Sequence, residues 1–214
     1  MRRYIIHPAK EPLPELRGYQ FDPEQEPFCE SADIADIDCY LWDVTHYTPE
    51  AHACVTWSAE GLHVLLYARE KEITVRCREF GGEVYMDSCL EFFLQPFMDD
   101  PRYINIEVNA GGFALIGFGA GRAERIRLEE EPEGMDIRAS RHRGGWWAVA
   151  YTVPAALLRE LYGRTPMPGD VMRGNFYKCE EHTNAHFGTW HPVINFQPDF
   201  HRPECFGEME LSKS

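Results

Sequence analysis

The sequence predicts an all-β protein, an antiparallel β-sandwich of jelly-roll type. Three observations carry that prediction. From about residue 38 the apolar residues recur with a period of two rather than 3.6. Turn formers interrupt them at short intervals, with Ala-Glu-Gly at 59–61, Asp-Asp-Pro at 99–101, and Gly-Gly at 111–112 and 144–145. Short strands evenly separated by such turns are the pattern of a sandwich or barrel.

The elements follow in order. Alternating stretches place strands at 51–57, 61–69, 87–95, 103–109, 113–118, 135–141, 146–153, 172–179 and 207–211. One short helix is expected at 154–161, PAALLREL, because a proline in the first turn gives up an N–H that has no intrahelical partner there. Residues 1–37 read as an extended arm packed on the sandwich, since 8–27 is rich in Pro, Glu and Gln and has no apolar period. With 214 residues, 1–214 reads as a single domain. A domain of that size buries roughly 70% of its unfolded surface and needs no staples.

Composition narrows the function. The net charge is −14, and no Lys/Arg cluster supplies the basic face that displaces phosphate counterions, so neither nucleic acid nor an anionic membrane is an expected partner. Seven cysteines, at 29, 39, 54, 77, 89, 179 and 205, form no C-x-x-C pair and read as free thiols in a reducing compartment. The start, MRRYIIHPAKEP, lacks the apolar stretch of a leader, and no run approaches the ~20 apolar residues of a membrane helix. As written the chain reads as cytoplasmic, and as extracellular if a leader has been removed.

Strand parity then raises a functional question. In 87–95, Leu90, Phe92 and Leu94 share one face and Asp87, Glu91 and Phe93 the other. In 103–109, Ile104, Ile106 and Val108 face inward, leaving Tyr103, Asn105, Glu107 and Asn109 outward. In 172–179, Arg173, Asn175 and Tyr177 share one parity, opposite to Lys178, which is expected at the rim or in solvent. If these strands share a sheet, one face carries short or planar groups with fixed donors and acceptors. Such a face suits a ligand with many hydroxyls. The competing role is a half-buried polar network that rigidifies the sandwich. Trp190 adds a ring that could stack on the apolar face of a pyranose, and its competing role is a core anchor.

These residues resemble the family-9 carbohydrate-binding modules, within a wider DOMON-like β-sandwich group. The matching landmarks are VTWSAEGLHVLLYARE (55–70), DSCLEFFLQP (87–96), YINIEVNAGG (103–112), the WWAVAYTVP strand before the helix, RGNFYKCEEHTNAHFGTWHP (173–192) and FHRPECFGEMEL (200–211). The resemblance implies a β-sandwich that binds a mono- or oligosaccharide without catalysis, in the context of polysaccharide metabolism. It implies an aromatic clamp with Trp190 as one side. The other side falls near Tyr85, a Tyr where the family has Trp. Arg173, Asn175, Tyr177, Glu107, Asn109, Asp87, Glu91 and Asn105 would then hold the hydroxyls. The family also carries structural calcium, for which Asp87, Glu91 and Glu107 are candidates by charge alone.

Rival readings are weaker on chemical grounds. His182 and His186 are spaced i, i+4, a good zinc spacing on a helix, but Thr, Asn, Gly and Pro around them read as loop. Glu91 and Glu107 could serve a glycoside hydrolase, but an open sheet face would not raise one carboxyl for acid duty. A haem role, as in some DOMON-like domains, would need an axial Met or His pair that the sequence does not single out.

Overall fold

The computed structural model describes residues 2–16, 21–42, 45–142 and 144–213. In chain order the strands are β1 (Arg3–Pro8), β2 (Ile34–Asp36), β3 (Glu50–Ser58), β4 (Gly61–Arg69), β5 (Cys89–Gln95), β6 (Tyr103–Asn109), β7 (Ala114–Gly119), β8 (Ile126–Arg127), β9 (Arg138–Arg141), β10 (Trp146–Pro154), β11 (Val171–Glu180), β12 (His186–Thr189) and β13 (Gly207–Leu211). Two short helices, α1 (Pro27–Glu30) and α2 (Ala155–Tyr162), complete the fold. Every strand expected from the alternation is present. The expected helix is α2, and it stops at Gly163, whose φ of 75° lets its N–H turn back to the Arg159 carbonyl.

The strands form two layers, β8-β7-β6-β5-β11-β13-β1 and β1-β3-β4-β10-β9, with β12 beside β11 and β2 beside β3. β1 belongs to both. Arg3–Ile6 run parallel to Glu208–Leu211, and His7–Pro8 run parallel to Thr56–Trp57. The N-terminus is therefore more than the expected arm, and the sandwich is not wholly antiparallel. Only Tyr4 and Ile6 alternate inward there, too short a pattern to stand out before the Pro-rich stretch that follows.

The main core lies between the layers and confirms the parity. Leu90, Phe92, Leu94, Ile104, Ile106 and Val108 pack with Val55, Val64, Leu66 and Val149. Full burial of each such side chain contributes about 1.5–3 kcal/mol. The outer face of the second layer is covered by the N-terminal residues Leu16, Phe21 and Phe28, which seat on Cys54, Leu65, Tyr67 and Ala148. The outer face of the first layer is covered as well, where Trp42, Val193, Phe200 and Phe206 pack over Cys89, Phe93, Tyr103 and Tyr177. The polar face expected to lie open is thus mostly roofed by loops from distant parts of the chain.

Lys178 departs most from expectation. It is neither at the rim nor in solvent but 0% exposed, between the layers. Its ammonium pairs with Glu70 and contacts His186 Nε2 at 2.9 Å. It also sits 5.5 Å from the centre of the Trp147 ring. Burial alone would raise the Glu70 carboxyl, but the attraction of Lys178 and hydrogen bonds from His186, Lys178 and Ser88 outweigh it and bring it down to about 2.

Candidate functional site

Register places the outward residues of four strands in rows across the first layer. Tyr177, Glu91, Glu107 and Leu115 form one row on β11, β5, β6 and β7. Cys179, Cys89 and Asn109 form the next. The strands align as the parity argument required, but the rows are put to different uses.

Five of the predicted ligand contacts are engaged by the protein itself. The Asp87 carboxylate accepts the backbone N–H groups of Arg76 and Cys77 and the Asn109 side-chain amide, at 2.9–3.0 Å. The Asn109 carbonyl oxygen accepts from Gly111 and Phe113 and so holds the turn between β6 and β7. The Asn175 side chain accepts from the His191 N–H at 2.8 Å and donates to the His191 carbonyl at 2.9 Å. The Tyr177 hydroxyl donates to the Phe200 carbonyl, and the two rings stack 4.2 Å apart. Arg173 donates to the carbonyls of Glu204 and Phe206. These residues form the rigidifying network that competed with the ligand reading.

Trp190 takes its competing role too. It is 4% exposed in the interlayer core, with its ring centre 5.7 Å from that of Phe176 and 6.1 Å from that of Tyr4. A Cβ on Gly207 would lie 2.5 Å from its ring, so the strand can pass there only as glycine. No face of this indole remains for a sugar. The loop before it is shaped by Glu180, whose carboxylate accepts the N–H groups of His182, Thr183 and Asn184 at 2.7 Å each.

The roof leaves a cavity of about 500 Å³ over the Glu91–Glu107 row. Of the predicted residues, Tyr85, Glu91 and Glu107 line it. Tyr85 reaches it from the short turn Val84–Met86, with its hydroxyl 3.0 Å from Glu83. Asn105 lies on the same face of β6 outside the lining and donates to Glu107 at 2.8 Å. The walls contain residues the sequence reading missed: Phe187 on β12, Phe200 and His201 on the loop before β13, and Arg122, Arg125 and Arg127 on the β7–β8 hairpin. The arginines did leave a signal, three of them within GRAERIR (121–127). The hairpin folds close over β7 because Gly119 has no side chain: a Cβ there would meet the Arg125 Cα at 2.6 Å. Phe187, Phe200 and His201 come from segments with no alternation to mark a face.

The floor is buried, and among the described residues no cation stands within ion-pairing distance of its two carboxyls. Burial raises the Glu107 carboxyl to about 7, against the pull of Arg125, Arg127 and Arg122 and the Asn105 hydrogen bond. Burial also raises Glu91 well above its ordinary range, helped by neighbouring Cys179 and Glu107. The expectation that these carboxyls sit on an open face is therefore corrected. His201 is pushed down to about 2 by burial and by Arg125 and Arg122, so its ring is neutral. Arg125 faces its ring nitrogens, and the Tyr103 hydroxyl lies 2.7 Å from Nδ1. Arg122 pairs with Asp199 at 2.9 Å across the mouth.

The donor sets bear on the metals considered. Calcium takes six to eight oxygen ligands. Asp87 already accepts from three donors, and Glu91 stands beside two thiols. Asp87, Glu91 and Glu107 therefore do not make a calcium cage. His186 Nδ1 faces the Asn184 carbonyl at 2.6 Å and its Nε2 faces Lys178, so it does not offer zinc a free nitrogen alongside His182.

Residues 27–211 match carbohydrate-binding family 9. The chain belongs to that family. Family-9 modules are non-catalytic carbohydrate-binding domains, and this is the role of the chain. No curated protein matches it. Among solved structures, the chain is similar to a protein from Bacteroides uniformis ATCC 8492 described as carbohydrate-binding, with 23% identity, a TM-score of 0.78 and 99% of each chain covered. It is also similar to a family-9 module from Caldicellulosiruptor kristjanssonii in complex with glucose, with 14% identity and a TM-score of 0.67, covering 100% of this chain and 97% of that one. A complex of a Caldicellulosiruptor kristjanssonii family-9 module with cellotriose has 14% identity and a TM-score of 0.66, with 99% and 94% covered. At these identities the likeness speaks for the fold.

Proposed function

We propose that the cavity over β5 and β6 is the saccharide site of this family-9 protein and takes a mono- or oligosaccharide. One observation carries the reading. A concave site of about 500 Å³, in the size range of small-ligand pockets, mixes aromatic walls with a few convergent polar groups. Tyr85 and Phe187 supply ring surface for the apolar face of a sugar. Glu91 and Glu107 on the floor, with Arg127 and Gln197 on the walls, supply acceptors and donors for hydroxyls. Phe196 is 95% exposed and precedes the lining residues Gln197 and Pro198 in sequence. The glucose and cellotriose complexes of the structural neighbours support this ligand class.

The test is a calorimetric titration with a panel that includes glucose and cello-oligosaccharides, on wild type, Tyr85→Ala, Phe196→Ala and Glu107→Gln. Aromatic stacking of a flat ligand ring is worth ~1–3 kcal/mol in nucleic-acid complexes. A similar value here would weaken binding about tenfold in Tyr85→Ala. Saturable binding untouched by Tyr85→Ala and by Glu107→Gln would move the site elsewhere. No saturable binding across the panel would overturn the reading.

A further inference from the structure

The floor of the cavity holds a cluster that saccharide binding does not explain. Cys89 and Cys179 face each other across β5 and β11, and Glu91 follows Cys89 on the same face. The two Sγ atoms and a Glu91 carboxylate oxygen all lie within 4.8 Å of one another. Cys179 Sγ is 3.1 Å from Glu91 Oε1. All three residues are buried, yet Glu91 and Cys179 also line the cavity, so the cluster has an entry path. Glu107, 3% exposed, stands opposite Glu91 in the register. Among the described residues no cation forms an ion pair with either carboxyl; the Cys179 thiol meets one and the Asn105 amide the other.

We propose that Cys89, Cys179 and Glu91 form a three-ligand site for a borderline-soft divalent cation of the zinc class. Two sulfurs and one oxygen disfavour calcium and magnesium, which take oxygen donors, and suit zinc, which takes both. Zinc bonds of about 2.3 Å to sulfur and about 2.0–2.2 Å to oxygen imply ligand separations of roughly 3.4–3.8 Å in a tetrahedron. The separations in the cluster, from 3.1 Å between Cys179 and Glu91 up to at most 4.8 Å, span that range. Binding converts two thiols to thiolates and, where Glu91 starts protonated, its carboxyl to a carboxylate. Two or three protons leave to solvent as the metal–ligand bonds form, and nothing is oxidised or reduced. The fourth position faces the cavity and is open to water or to a ligand hydroxyl. This site goes beyond saccharide binding; it shares Glu91 and the cavity with the proposed saccharide site, and each is tested by its own readout.

The experiment uses the full, untagged chain, reduced and stripped of metal with a chelator, titrated with Co²⁺ and then Zn²⁺. The expected result is one equivalent of Co²⁺ with tetrahedral d–d bands and a thiolate-to-cobalt charge-transfer band, displaced by Zn²⁺. Both bands are lost in Cys179→Ser and Cys89→Ser, and affinity falls at least about tenfold in Glu91→Gln. Cys54→Ser, in the other layer, and Cys77→Ser retain them. Absence of the charge-transfer band in wild type overturns the proposal. So does a band that survives Cys179→Ser, or a cobalt affinity unchanged in Glu91→Gln, in protein with unchanged far-UV circular dichroism. Sugar calorimetry on the metal-free protein is a separate arm, so failure of either site is seen apart from the other.

Discussion

Trp190 shows how a single side chain can be read in two ways from sequence and in one way from structure. A Trp in a Gly-Thr-Trp-His-Pro segment could be a loop platform or a core anchor. The ring is buried between Tyr4, Phe176 and Gly207, so its contribution is packing. Trp190→Ala is expected to lower unfolding stability by about 3–5 kcal/mol, measured by urea denaturation. Trp190→Phe, by contrast, should retain saccharide binding. Glu70 gives a pH-dependent prediction. Its carboxyl is lowered from 4.5 to about 2 in the fold, so ionised Glu70 stabilises the native state fully above about pH 4.5. That contribution is lost as the pH falls toward 2. Glu70→Gln should therefore flatten the acid limb of a stability–pH curve in this window, and an unchanged limb would refute the pairing. Lys178→Met leaves the Glu70 charge buried without its partner and should cost about 3–5 kcal/mol.

At the scale of elements, the β7–β8 hairpin governs the cavity more than it governs the fold. It carries three arginines to the wall, and Gly119 sets how closely it folds over β7. Gly119→Ala should displace the Arg125 segment by steric conflict with backbone atoms. The expected outcome is a severalfold loss of saccharide affinity, with an unfolding loss limited to about 1–3 kcal/mol, as in other overpacked sites. Titration and denaturation of the same variant separate the two effects. Strands were readable in this sequence because alternation is local: β6, for example, shows Ile104, Ile106 and Val108 inward with no need to know its neighbours. β8 and β12 were not, because two or four residues are too few to show a period. β12 exists because its residues complete hydrogen bonds with β11, from Tyr177–Thr189 to Glu180–His186.

For the whole molecule, β1 is the seam between the layers, since it pairs with β13 in one and β3 in the other. Removing residues 2–8 should open both edges, and the expected result is loss of cooperative thermal unfolding, where removal of a mere surface arm would leave the transition intact. The sequence by itself determined the period-two strands, the inward set on each, and the family through landmarks spread over residues 55–211. It did so because side-chain alternation and hydrophobic partition act residue by residue. Only the tertiary structure decided what the outward set does. Trp42, Val193, Phe200 and Phe206 arrive from far along the chain to roof the first layer. The backbone at Arg76–Cys77 engages Asp87 and Asn109, that at His191 and Phe200 engages Asn175 and Tyr177, and the roof leaves Glu91 and Glu107 on the floor of a cavity. A polar residue on a strand face looks the same in sequence whether water, a ligand or another loop satisfies its hydrogen bonds, and that choice is made by whichever segment packs against it.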